Sequence, residues 1–146
     1  MKKIVIAITS LFILQMTSFA QIHTLTKDDV MIDKISGSIL SYISDYDSIS
    51  IPHTIDNIPI YDISAGAFFS KGIVYLELPS TIKTIGVAAF AINNIDSLII
   101  PDNVEYIGEN AFQYNGIRYL RLPQNINHIG YNAFFDNDIS TLLIPN

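Results

Sequence analysis

Four prolines, Pro79, Pro101, Pro123 and Pro145, follow one another at intervals of 22 residues. The same interval separates Ile63, Ile85, Ile107 and Ile129, and again the pairs Ala67-Phe68, Ala89-Phe90, Ala111-Phe112 and Ala133-Phe134. A fixed period in this range marks a solenoid, in which each repeat is one small unit that buries its apolar face on the next. The period therefore settles the architecture first. It also moves the search for function from pockets to surfaces, because solenoids present extended faces to partners.

Aligned on the period, the units are Ile63–Thr84, Ile85–Tyr106, Ile107–His128 and the incomplete Ile129–Asn146. With the isoleucine as position one, Ala-Phe falls at five and six, Ile at eleven, Leu at fourteen, Leu or Ile at sixteen, Pro at seventeen and Ile or Val at twenty. In the second unit positions eleven to sixteen read Ile95-Asp96-Ser97-Leu98-Ile99-Ile100. The period of two at fourteen and sixteen predicts a short strand with Leu98 and Ile100 on one side. Proline ends it, because it cannot donate to a ladder. One such strand per repeat, stacked in order, predicts a parallel sheet with strands ~4.8 Å apart.

The stretch after each Ile-Gly, such as Glu109 to Tyr114, is too short for a full helix and reads as a single helical or 3₁₀ turn on the back of the coil. Ala sits where this turn nears the neighbouring coil, and Phe fills the interior. Gly86, Gly108 and Gly130 permit a tight or left-handed bend after the isoleucine, although Ser64 holds that place in the first unit. Position nine is Lys71, Asn93, Asn115 and Asn137. An asparagine in every coil forms either a ladder of amides bonded to the next coil's backbone or a series of ordinary turns. Lys71 breaks such a ladder at its N-terminal end.

Ile49-Ser50-Ile51-Pro52 copies the strand-and-proline signature, but Pro52 to Ile63 is five residues longer than Pro79 to Ile85. The excess predicts an inserted turn around Asp56-Asn57. Residues 21–48 do not follow the period. Terminal repeats are atypical because one face meets water, so this stretch reads as an N-terminal cap with Ile39, Tyr42, Ile43 and Tyr46 over the first coil. Residues 49–146 form the solenoid.

The first twenty residues stand apart. Lys2-Lys3, an apolar run from Ile4 to Leu14, and Ser18-Phe19-Ala20 have the layout of a secretory signal peptide cut after Ala20. The run is short for a membrane span of ~20 residues. The reading is therefore export, to the medium or the cell surface, with no membrane span left after signal removal. Without Lys2 and Lys3, six basic residues face fourteen acidic ones, a net charge of −8. Such a chain repels phosphate backbones, which disfavours nucleic acid as a partner. There is no cysteine, which excludes a disulfide framework and leaves packing to hold the exported chain together.

No constellation for catalysis, cofactor or metal emerges. His23, His53 and His128 have no second ligand at metal spacing. The acidic pairs Asp28-Asp29, Asp45/Asp47 and Asp136/Asp138 lack the pattern of a calcium loop. There is no phosphate-binding glycine loop and no nucleophile elbow. The informative residues are those of each strand that point outward, at positions thirteen and fifteen: Tyr75 and Glu77, Ser97 and Ile99, Tyr119 and Arg121, Thr141 and Leu143. They vary between units while the inward positions do not. Tyr75, Glu77, Ile99, Tyr119, Arg121 and Leu143 are the candidate partner-binding residues. Tyrosine and arginine are common binding anchors and exposed aliphatics enlarge an apolar patch. The same stripe is also compatible with an ordinary solvated face.

The phrase Leu-x-Leu-Pro-x-x-Ile-x-x-Ile-Gly-x-x-Ala-Phe-x-x-Asn resembles the BspA-like leucine-rich repeat, and the resemblance spans roughly Ile49 to Asn146. It implies a right-handed leucine-rich-repeat coil in an exported or surface-displayed protein that binds other proteins or cells, in the manner of adhesins. It carries over no catalytic residues. The reading is a non-enzymatic adhesion module. Its rivals are a structural spacer in a longer surface protein and an accessory domain of an exported enzyme. The last unit stops at Pro145-Asn146, which leaves Ile129, Phe134, Leu142 and Ile144 without a following coil. That predicts either a longer natural chain or self-association through this end.

Overall fold

The structure, a computed structural model, describes residues 21–145. The signal-peptide reading and its cut after Ala20 lie outside the described residues. The chain winds as a solenoid of short strands. In order they are β1 (His23–Thr24), β2 (Val30–Asp33), β3 (Ser38–Tyr42), β4 (Ser48–Ser50), β5 (Thr54–Ile55), β6 (Ile58–Pro59), β7 (Asp62–Ile63), β8 (Tyr75–Glu77), β9 (Thr84–Ile85), β10 (Ser97–Ile99), β11 (Tyr106–Ile107), β12 (Tyr119–Arg121), β13 (His128–Ile129) and β14 (Thr141–Leu143).

Each repeat contributes two strands rather than the single strand expected. The strand at positions thirteen to fifteen pairs in parallel with its neighbours, in the orders β1-β4-β8 and β10-β12-β14. The second strand, made of the residue before the first isoleucine and that isoleucine, builds another sheet in the order β13-β11-β9-β7-β3-β2. Registers follow the period: Ser97 lies opposite Tyr119, Leu98 opposite Leu120, and Ile85 opposite Ile107.

Between the sheets lies the core. Ile73, Ile82, Ile85, Ile95, Leu98, Ile100, Val104, Ile107 and Ile117 are all fully buried. The phenylalanines stack into one column, Phe68 on Phe90 at 4.8 Å between ring centroids, Phe90 on Phe112 at 5.3 Å and Phe112 on Phe134 at 5.5 Å. Tyr42 sits on the N-terminal end of the column, 5.2 Å from Phe68.

The turns on the back are not helical. No helix or 3₁₀ segment occurs among the described residues. Ala89 N–H donates to Gly86 O and Ala111 N–H to Gly108 O, at 3.2 and 3.3 Å, and the third residue of each turn has positive φ, Ala88 at 52° and Asn110 at 56°. These are β-turns of the type II kind. The donors that a helical turn would aim along the chain go instead to the next coil: Phe68 N–H to Ala89 O, Phe90 N–H to Ala111 O and Phe112 N–H to Ala133 O, each 2.8 Å.

The glycines after the isoleucine serve a different purpose from the one expected. Gly86, Gly108 and Gly130 are not left-handed. A Cβ on Gly108 would sit 2.6 Å from Val87 N and 2.7 Å from Gly86 C, so the coils stack too closely there for any side chain. The left-handed bend falls two residues later.

Asn93, Asn115 and Asn137 form the ladder rather than separate turns. Asn93 Oδ1 accepts from Lys71 N–H and Ile73 N–H at 3.0 Å each, and its Nδ2 donates to Phe68 O and Phe90 O at 2.9 Å each. Asn115 and Asn137 donate to Phe90 O and Phe112 O one coil further on. Lys71 has no amide to offer and instead places its ammonium over the Tyr42 ring.

The inserted turn is a hairpin. β5 and β6 pair antiparallel about Asp56 and Asn57, both with positive φ, 53° and 64°, as a tight primed turn requires. Residues 21–48 continue both sheets: β1 pairs with β4, and β3 pairs with β7 with Ile39 opposite Ile63. Ile39 and Tyr42 are buried as expected, but Ile43 and Tyr46 are not. The β2–β3 hairpin turns Ile43 to solvent, and Tyr46 stacks on His23 at 3.7 Å instead of on the first coil. A polar knot secures this end. Buried Asp29 receives Thr26 N–H and Thr26 Oγ1 at 2.8 Å and Ser44 Oγ at 2.6 Å, with His23 Nε2 3.0 Å away. At the other end β13 and β14 are the outermost strands, and Ile129, Leu142 and Ile144 are exposed.

Candidate interaction surface

The sheet of longer strands sets the candidate residues on one outer face. In a strand successive side chains alternate sides, so burying Leu76, Leu98 and Leu120 forces the flanking residues outward. Tyr75, Glu77, Ile99 and Leu143 are exposed, and Tyr119 and Arg121 are half-exposed. Pairing puts Tyr119 between Ser97 and Thr141, and Arg121 between Ile99 and Leu143. The structure therefore brings Ile99, Tyr119, Arg121 and Leu143 onto adjacent, hydrogen-bonded strands. Tyr75 and Glu77 stand on β8, across a discontinuity. The ladder stops at β8 and resumes at β10.

Arg121 is already engaged. Its Nη2 reaches both oxygens of Asp102, at 2.9 and 3.1 Å. Asp102 Oδ1 also accepts Gln124 N–H, and Asn125 Nδ2 donates to Asp102 O. This two-pronged pair ties one coil to the next and leaves the guanidinium partly neutralised. The separation of Asp102 and Arg121, nineteen residues, is three short of the repeat, so no fixed-phase signal in the sequence marks the pair. Arg118 pairs similarly with Asp96 at the coil's edge. Glu77 makes no ion pair or side-chain hydrogen bond among the described residues.

The histidines are structural: His23 at Asp29, His53 Nε2 3.1 Å from Ser80 Oγ, and His128 stacked on Tyr106 at 4.8 Å. Among the described residues no group of three or more potential metal-ligating His or acidic side chains comes together, and no helix is long and apolar enough to cross a membrane. A hollow of about 630 Å³ lies at the coil edge beside Asn94, Tyr114 and the Asp96–Arg118 pair. The outer face has a smaller hollow of about 360 Å³ at the ladder discontinuity.

Among solved structures, the crystal structure of a leucine-rich repeat protein of T. pallidum shares this fold, with a TM-score of 0.61 and 18% identity over 82% of this chain and 71% of that one. No match is found among curated proteins. The family model of the BspA type leucine rich repeat region matches residues 33–146 in six copies. Repeats of this kind build extended protein-binding surfaces. The six matched copies, the 22-residue register and the stacked phenylalanine and asparagine columns place the chain in the BspA-type leucine-rich repeat family.

Proposed function

We propose that this protein is an exported or surface-displayed adhesion module that binds proteins or cells through the outer face of its longer-stranded sheet, and that it performs no catalysis. The observation that carries the reading is the division of labour along each strand. The inward residues repeat from coil to coil, while the outward positions change between adjacent coils, Tyr75, Ser97, Tyr119 and Thr141 at one and Glu77, Ile99, Arg121 and Leu143 at the other. Apart from Arg121, which Asp102 holds, these side chains make no side-chain hydrogen bond or ion pair among the described residues, so the aromatic and aliphatic surface of Tyr75, Ile99, Tyr119 and Leu143 is available to a partner. Export after Ala20 and residues 49–146 as the binding solenoid belong to the same reading.

The test is surface plasmon resonance of residues 21–146 against a panel of purified extracellular matrix proteins, with cell binding measured in parallel. Saturable binding to at least one is the expected result. A chain that binds none of them and no cell surface is instead the spacer of the alternative reading.

A further inference from the structure

Elsewhere the step between coils is closed by a recurrent bond: Ile51 N–H to Glu77 O at 2.9 Å, Ile100 N–H to Arg121 O at 3.0 Å and Leu122 N–H to Leu143 O at 3.0 Å. The corresponding step from Leu78 to Ile99 has no such bond, and Ser97 N–H lacks the bond across the step that Tyr75 and Tyr119 make to Asp47 O and Asp96 O. The consequence shows in the core. Leu76 and Leu78 are 5% and 8% exposed, whereas Leu98 and Ile100 in the next coil are fully sealed. The hollow of about 360 Å³ fills this gap, lined by Tyr75, Glu77, Leu78, Ser97, Ile99 and Pro101.

Its chemistry is specific. Tyr75 contributes an aromatic ring to its lining, Ile99 an aliphatic side chain, and Leu78 and Pro101 further apolar surface. The carboxylate of Glu77 also lines it and makes no ion pair among the described residues: its paired neighbour on β4 is Ser50, and Arg121 of the outer face is held by Asp102. The backbone acceptor Ile99 O faces the gap without the donor that closes the other steps. A long apolar stem ending in a cation meets the ring, the carboxylate and the backbone acceptor at once. The stem packs on Tyr75 and Ile99, the head lies against the ring face and pairs with the carboxylate, and its remaining N–H groups reach the open backbone acceptor. The net charge of −8 on residues 21–146 favours basic partners.

We infer that the gap between β8 and β10 is a receptor for a lysine or arginine side chain presented by a protein partner. The inference rests on the outer-face binding reading above and names the chemistry that this face selects.

The experiment uses the ¹⁵N-labelled chain, residues 21–146, titrated with the peptide Gly-Ser-Lys-Ser-Gly-Lys-Ser-Gly and with its counterpart carrying glutamine for lysine. Amide shifts are expected at Tyr75–Ser80 and Ser97–Pro101 with the lysine peptide alone. Glu77→Gln is expected to weaken them at least tenfold without moving the melting temperature, because Glu77 is exposed and holds nothing. Glu109→Gln, an equal charge change on the back turns, is expected to leave them intact. Three results would overturn the inference: shifts spread over all acidic surfaces with both variants acting alike, equal binding of the glutamine peptide, or no shifts in the gap. A protein partner whose binding survives Glu77→Gln but is lost on replacing Tyr119 and Leu143, neither of which lines the gap, would remove this receptor while leaving the outer-face reading in place.

Discussion

The rings of Phe90 and Phe112 lie parallel, 5° between planes and 5.3 Å between centroids, and both are fully buried. Offset stacking of this kind adds to the area each ring buries. Phe112 also touches Phe134 on its other side. Phe112→Ala should therefore cost ~3–5 kcal/mol. Tyr114, two residues on, is 47% exposed and makes only an edge contact with Phe135. Its replacement by alanine should cost less than ~1 kcal/mol. Urea titration of the two variants checks the difference, and equal small losses would mean that the Phe column does not hold the coils together.

Asn93 is 6% exposed and closes four backbone groups. Asn93→Ala leaves two N–H donors and two carbonyls without the amide, and a buried group left unpaired costs ~1–3 kcal/mol. A loss of at least ~2 kcal/mol is expected on that scale. Amide exchange should accelerate first at Lys71 and Ile73, whose N–H groups the side chain now holds. Unchanged exchange there would show that the ladder adds nothing.

Gly108 and Gly116 have opposite demands. A methyl on Gly108 meets the backbone of the previous coil at 2.6 Å, while one on Gly116 has nothing nearer than Ile95 O at 3.9 Å. Gly108→Ala should force the coils apart and cost ~1–3 kcal/mol or more. Gly116→Ala should be neutral or raise the melting temperature slightly, by restricting the unfolded chain. Thermal unfolding of the two variants separates them, and similar behaviour would mean the close stacking at Gly108 is not real.

The period made the inward side of each coil readable, because a residue that repeats at fixed phase is one that every coil must bury. Phe68, Leu98 and Asn93 were legible in that way. Three features were not. The left-handed residues of the back turns include Ser70, Ala88, Ile92 and Tyr114 as well as asparagine, aspartate and glycine, so residue type alone did not mark the position; stacking between coils imposes that conformation. The gap between β8 and β10 contains no proline or glycine within either strand, and pairing fails there without a local sequence signal. Arg121 read as a free binding anchor because its partner, Asp102, lies in the previous coil, where only the stacked register reveals it.

The knot at Asp29 gives the fold an acid limit. Burial alone would raise the pKa of this carboxyl, but hydrogen bonds from Ser44, His23 and Thr26 outweigh that and hold it well below its usual value of 3.8. The unfolded chain therefore takes up the proton first as the medium is acidified. The stability that the knot provides is fully present above pH ~4 and is lost as the pH falls below it toward the folded-state value. Asp29→Asn should lower the melting temperature at pH 6 and flatten its fall between pH 4 and 2, so that the two curves converge in acid. Parallel curves would show that Asp29 is not the group responsible.

The binding face is tested most directly at Tyr119 and Leu143, which stand on the paired strands β12 and β14. Arg121 between them is a poorer choice. Its bond to Asp102 ties two coils together, so removing it would mix a loss of stability with a loss of contact. Tyr119 and Leu143 bond to no side chain among the described residues and point away from the core, so Tyr119→Ala/Leu143→Ala should shift the melting temperature by no more than ~1–2 °C, the scale of a few tenths of a kcal/mol in a domain of this size. A few central aromatic and aliphatic anchors carry most of an interface's energy. The double variant should therefore weaken binding to a matrix-protein partner at least tenfold, which corresponds to about 1.4 kcal/mol. The control is Glu109→Ala/Gln113→Ala on the back turns, which should leave affinity unchanged. The reverse pattern, with binding lost in the control and kept in the Tyr119/Leu143 variant, would move the binding surface from the sheet to the stacked turns.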